Sequence, residues 1–258
     1  IGRRDGIVEL RSVEFGLSFA RYRSNIAYRT NANQITIKNV ANSSDENSQS
    51  KNLSFLKIVY SIHMNESKIL VHFKDSLILF DSKTLEKISE IPGDFEKCEF
   101  ALSESAIVYS KGKELMFIDS VGAVLYSFTF QSVIRSISSS LDGVIIGCVD
   151  GTISIIINKK SHLLVQHDSS VEWIERKENQ IAILDKNSRC VIYDSFNSSV
   201  LRSIDFSTSF AFNDRVTDLY ASSNGSTISV YYKDCQPMNH FVEGNLLAFV
   251  ENKLIVSN

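Results

Sequence analysis

The chain lacks most of the signatures that would announce chemistry. None of its four cysteines, Cys98, Cys148, Cys190 and Cys235, stands in a Cys-x-x-Cys pair. A zinc module draws on close Cys or His pairs, so none is expected. Dispersed thiols beside apolar runs read instead as reduced cysteines in a reducing compartment. There is no glycine-rich phosphate loop: Ser110-Lys111-Gly112-Lys113 resembles half of one, but it lacks the first glycine and joins two strand-like runs, which makes it a hairpin turn. A Gly-x-Ser-x-Gly elbow is absent too. No apolar run is long enough to cross a bilayer, so no transmembrane segment is expected. The net charge of −3 argues against a broadly basic, nucleic-acid-binding surface. Sustained helical periodicity is found nowhere. The expectation is a protein with no catalytic residue, no metal and no cofactor.

What is present is an ordinary globular composition, with 43% hydrophobic and 22% charged residues in 258. That is enough for a sizeable core, and all-β units of this length form single domains. The chain starts at Ile1 without methionine, which reads as a piece of a longer protein with no signal peptide in view. Five Asn-x-Ser sequons, at Asn42, Asn52, Asn65, Asn197 and Asn224, weigh little in a chain so rich in Ser and Asn. The location expected is intracellular, cytoplasmic or nuclear.

A repeated unit organises the sequence. A short apolar strand closes on Asp or Asn: Leu77-Ile78-Leu79-Phe80-Asp81, Leu115-Met116-Phe117-Ile118-Asp119, Ile153-Ser154-Ile155-Ile156-Ile157-Asn158 and Cys190-Val191-Ile192-Tyr193-Asp194. Further copies close at Asn39, Asp234 and Asn258. The spacings between positions 39, 81, 119, 158, 194 and 234 are 42, 38, 39, 36 and 40, a period that marks the blades of a β-propeller. The second to fifth units also divide internally into four strand-like runs separated by turn clusters, with Asp142-Gly143 and Asp150-Gly151 as the hairpin-favouring pairs of the fourth. The closing Asp residues are turn formers, whose side chains bond nearby amides. Seven closings predict seven four-stranded antiparallel blades over residues 1–258, a single all-β domain. The last blade has three strands, near Phe241, Leu246–Val250 and Leu254–Val256, and the spare strand Ile7–Val13 is expected to complete it and close the ring, hiding its edges. Residues 40–52 are polar and read as a flexible loop. Only 24 residues separate Asp234 from Asn258. Either the sixth blade lacks its outer strand, or a loop near 234–240 is missing from the sequence.

These residues resemble the divergent WD40-like β-propeller superfamily over the whole chain. The stretch from Ser140 to Ile153, with its two Asp-Gly turns, is the most similar part. Departures are clear: no Trp-Asp and no Gly-His dipeptide occurs, so the buried His–Asp network of the family is not carried over. The resemblance implies a non-catalytic protein-interaction scaffold, one domain of a subunit in a multi-protein complex, with other subunits as partners.

Candidate partner-binding residues are few. Six arginines fall in the first 30 residues, and Arg3, Arg4, Arg21 and Arg23 could form a basic patch for acidic peptide, RNA or lipid headgroups, or be dispersed solvated charge. Trp173 is the single tryptophan, either a filler between blades or an anchor at a channel mouth. The five histidines are expected at loops and edges, with His162 and His167 on opposite strand faces. A propeller enzyme would need Arg, Glu and Tyr or metal ligands converging on the channel, and no such cluster is evident.

Overall fold

The structure is a computed structural model that describes residues 18–40, 50–140, 143–250 and 253–257. The spare strand proposed at 7–13, together with Arg3 and Arg4, lies outside the described residues, as does most of the loop at 40–52.

Three-residue to seven-residue runs pair into four-stranded antiparallel sheets, each in chain order. Blade one is β1 (Phe19–Tyr22), β2 (Asn25–Asn31), β3 (Gln34–Asn39) and β4 (Lys51–Ser54). Blade two is β5 (Ser61–Met64), β6 (Lys68–Phe73), β7 (Ser76–Asp81) and β8 (Lys87–Pro92). Blade three is β9 (Cys98–Leu102), β10 (Ile107–Lys111), β11 (Glu114–Ile118) and β12 (Val124–Thr129). Blade four is β13 (Ile134–Ser140), β14 (Gly143–Cys148), β15 (Thr152–Ile157) and β16 (Lys160–Gln166). Blade five is β17 (Val171–Lys177), β18 (Gln180–Asp185), β19 (Cys190–Asp194) and β20 (Val200–Ile204). Blade six is β21 (Ser209–Phe212), β22 (Leu219–Ser223), β23 (Ile228–Tyr232) and β24 (Met238–His240).

The expectation of seven blades is corrected here: among the described residues there are six, and the seventh closing copy is only a two-stranded sheet of β25 (Asn245–Val250) and β26 (Lys253–Ser257). The reason is the length of the last unit. Met238–His240 is used as the outer strand of blade six, so that blade is complete with the residues present. Phe241, expected to open a strand, is in none and is 89% exposed. The β25–β26 pair is wedged between blades six and one. Leu246 and Phe249 pack against Ala211, Ala221 and Ile228, while Ala248 and Val250 pack against Ile26.

The middle strands are apolar almost without interruption because each is covered on both faces. Val144, Ile146 and Cys148 join a core with blade three, whereas the intervening Ile145 joins one with blade five. Gly147 lets these layers close up: a Cβ there would sit 2.4 Å from Val171 Cγ1. The outer strands are wetter, and four of them carry a one-residue bulge, which leaves Ile88, Leu125, Leu164 and Leu201 as the extra residues. Turns between first and second strands share a face with turns between third and fourth strands. The amides of Val40, Ser82, Ser195 and Lys233 donate to the carbonyls of Ser24, Ser67, Asn179 and Asp218.

Candidate interaction surface

The innermost strands, β1, β5, β9, β13 and β17, line a cavity of about 1440 Å³ that opens at the ring's face. Its wall is a mixture of serine, aromatic and charged side chains, and two ion pairs link blades across it. Arg21 on β1 pairs with the Glu175 carboxylate on β17 and donates to the Phe212 carbonyl at 3.2 Å. Arg135 meets Glu172 at 2.8 Å. Burial pushes the nearby Glu99 carboxyl up. Lys177 donates to the carbonyls of Asn213 and Val216, each at 2.7 Å, and burial lowers its pKa.

Arg21 and Arg23 are two residues apart but part company. Arg21 faces into the channel, whereas Arg23 is exposed at the tip of the β1–β2 turn, in the left-handed region at φ 53°, with its guanidinium 5.3 Å from the Tyr22 ring centre. Tyr22 in turn donates to Glu66 at 3.1 Å. Trp173 is partly buried, packs on the blade five–six core with its ring 6.1 Å from Phe210, and also lines the cavity. Trp173 thus fills space between blades and also faces the cavity.

Two histidines expected at loops or edges are buried. His72 is 4% exposed on β6 and His167 is 3% exposed just before β17. His72 and His63 share Ser61: the Ser61 hydroxyl lies 3.0 Å from His72 Nδ1 and 3.1 Å from His63 Nε2, and His72 Nε2 lies 3.0 Å from the Phe95 carbonyl. Burial drives His63 down to about 3 and His72 down to about 4. A Ser–His contact suggests a nucleophile with its base, yet a base so weak is far from the range that serves near neutral pH. The arrangement is a satisfied hydrogen-bond chain.

His167 reaches the Tyr193 hydroxyl at 2.7 Å and the Asp185 carboxylate at 3.2 Å. A buried His–Asp pair is therefore present in blade five although neither dipeptide that marks it in sequence occurs. Its members come from the segment before β17, the end of β18 and β19, so no short motif could have found it. Asp168 is close enough to complete a three-ligand metal cluster. The position of a cation is already taken, however: the Arg189 guanidinium pairs with Asp168 and lies 3.2 Å from Asp185. Burial pushes the Asp185 carboxyl up, but the Arg189 amide, His167, the Asn187 amide and the Arg189 charge outweigh it and hold Asp185 below the usual carboxylate range.

Other blades make the same link with different partners. Lys57 meets Asp75 at 2.9 Å in blade two, Lys111 meets Asp94 at 2.8 Å in blade three, and the Ser207 and Ser222 hydroxyls lie 2.7 Å apart in blade six. What recurs around the ring is a tie between the segment entering each blade and its second strand or the turn after it, so these polar groups serve the scaffold.

The described residues contain no helix long and apolar enough to cross a membrane. A family model described as the IFT122 second beta-propeller matches residues 19–257. Intraflagellar transport protein 122 homologs are similar to this chain. The mouse protein is 19% identical over 246 residues, covering 89% of this chain and 20% of its own length, and the Xenopus tropicalis protein is 21% identical over 269 residues, covering 98% and 22%. The chain thus spans about a fifth of these relatives. Among solved structures, U3-55K aligns with TM-score 0.70 at 10% identity, covering 92% of this chain and 86% of that one. Hsv2 of Kluyveromyces marxianus aligns with TM-score 0.67 at 14% identity, covering 91% and 85%. These structures share the propeller fold.

Proposed function

The chain belongs to the family of the IFT122 second beta-propeller, and on that premise we propose that it is a non-catalytic scaffold, one propeller within a subunit of an intraflagellar transport assembly. The observation that carries this reading is the family match over residues 19–257 in a chain that spans only a fifth of its relatives. A rigid ring of this size displays turns on two faces, and partner-binding residues concentrate on loops held by such a frame. The polar clusters that resembled catalytic or metal centres are internally satisfied, in keeping with a binding role. The partners are other protein subunits, and the setting is intracellular, at the flagellum. Within this reading Trp173, which lines the channel, and Arg23, exposed at the tip of the β1–β2 turn, are proposed contacts. A lipid or nucleic-acid reading built on Arg21 has less support, since its guanidinium is engaged by Glu175 and Phe212.

The test replaces residues 19–257 of the full-length parent by a Gly-Ser linker and quantifies the proteins that copurify from a flagellated cell. Loss of one or more stoichiometric subunits is expected. An unchanged set of partners would overturn the scaffold reading.

A further inference from the structure

The outer strands of the blades are exposed edges, and most carry a charge or a proline that discourages another strand from pairing with them. Lys51 lies on β4, Lys87, Glu90 and Pro92 on β8, Lys160 on β16 and Arg202 on β20, while β24 is only three residues long. The exception is β12, Val124-Leu125-Tyr126-Ser127-Phe128-Thr129. No charged residue occurs anywhere from Ser120 to Ile134. The bulge at Leu125 does not set β12 apart, because β8, β16 and β20 carry one too. Within its sheet β12 pairs only with β11, and among the described residues no strand covers its other edge.

The side chains around this edge are correspondingly apolar. Val124 is 58% exposed and Leu125 47%, and Val121 in the preceding turn is 73% exposed. Tyr126 and Phe128 turn inward onto the blade three–four core, with Tyr126 stacked on Phe117 at 4.3 Å. The strand is therefore held in place by its own packing, and within its sheet only its β11 side is paired. Lys159 of blade four stands 5.3 Å from the Tyr126 ring centre and is the nearby positive charge.

We infer that β12 is a strand-addition site, which takes an extended segment of a partner protein as a fifth strand of blade three. The segment this edge fits is uncharged, alternates apolar and small polar residues, and has an acidic residue at its flank to meet Lys159. Main-chain hydrogen bonds supply the binding, and the exposed Val124 and Leu125 supply apolar contact. A second copy of the chain is a poorer occupant, since six edge residues bury far less than the roughly 1,000 Å² expected of a stable protein–protein interface. This inference rests on the reading of the chain as an interaction module and names a partner class for it.

The experiment uses the folded propeller and a labelled synthetic peptide, Glu-Val-Thr-Val-Thr-Val-Thr-Val, read by fluorescence anisotropy and by amide hydrogen exchange. Saturable binding is expected, with added protection confined to residues 124–129. Leu125→Lys and Ser127→Lys should each weaken it at least about tenfold, whereas Ile88→Lys on the bulge of β8 should leave it unchanged. A peptide N-methylated at alternate residues keeps its side chains but cannot pair, and it should not bind. Absence of binding at millimolar peptide, equal binding by the β12 variants, or retained binding of the N-methylated peptide would each overturn the inference. Such a failure leaves the scaffold reading standing, because that reading is measured by copurification with the full-length parent.

Discussion

Arg21 of the first blade is bonded to Glu175 of the fifth, 154 residues away in sequence, and the same guanidinium caps the Phe212 carbonyl of the sixth. The ion pair joins blades one and five, which flank blade six and the two-stranded sheet, so it ties together the part of the ring with fewest strands among the described residues. Both side chains are about one-fifth exposed. Removing one partner should cost more than removing the pair, since a partly buried charge is left uncompensated. Arg21→Met and Glu175→Gln are each expected to destabilise by on the order of 1–3 kcal/mol, with a coupling energy of about 1 kcal/mol or more in the double-mutant cycle by urea unfolding. Additive effects would show that the pair does not staple the ring.

Tyr193→Phe removes the hydroxyl that meets His167 Nδ1 and leaves a buried nitrogen unsatisfied. A loss of about 1–3 kcal/mol is expected in thermal or chemical unfolding, without change in far-ultraviolet circular dichroism. A neutral result would mean that water replaces the hydroxyl.

Acid should unfold the protein earlier than its carboxylates alone would dictate. His72 binds its proton near pH 6.5 when unfolded and only near 4 when folded, because burial disfavours the charged ring. The unfolded chain holds more protons in that window, so stability is complete above about pH 6.5 and falls as pH drops toward 4. The contribution of His72 is on the order of 2–3 kcal/mol, and His63 adds in the same direction. Urea midpoints measured from pH 7.5 to 5 should decline, and the decline should be shallower in His72→Gln. An identical slope in the variant would place the acid sensitivity elsewhere.

Thiol chemistry should sort the cysteines by burial. Cys98, Cys148 and Cys190 are buried, and Cys235 is exposed. Burial raises Cys148 to about 11 and Cys190 further still, so neither offers much thiolate. A disulfide reagent should label Cys235 of the native protein rapidly and the other three only in denaturant. Rapid labelling of all four would contradict the packing of blades three to five.

The repeat was legible because three of its closing turns use the same local chemistry. The Asp81 carboxylate accepts the amides of Lys83 and Thr84, Asp119 those of Val121 and Ala123, and Asp194 that of Phe196. A side chain that bonds two to four residues ahead leaves a mark in sequence. Asn158 closes its unit differently, in the left-handed region at φ 50°, and still reads as a turn former. The number of complete blades was not legible in the same way. A closing strand marks a unit without showing how many strands precede it, and the last unit spends Met238–His240 on its neighbour. The interior clusters were hidden for a related reason. His167, Asp185 and Tyr193 converge from three separate segments, and Arg21 finds its partner across the ring. Arg21 and Arg23 share a charge and a neighbourhood in sequence, yet strand alternation and the turn at Arg23 send them to different environments.

The central claim, that this propeller is an interaction module of a larger assembly, is met most directly by chemical cross-linking with mass spectrometry on the purified full-length parent and whatever accompanies it. Exposed lysines such as Lys74, Lys87 and Lys111 stand on the faces and rim of the ring. Cross-links from residues 19–257 to other subunits are expected, alongside internal cross-links that fit the six-blade ring. Internal cross-links alone, from a protein that sediments without partners, would contradict the claim.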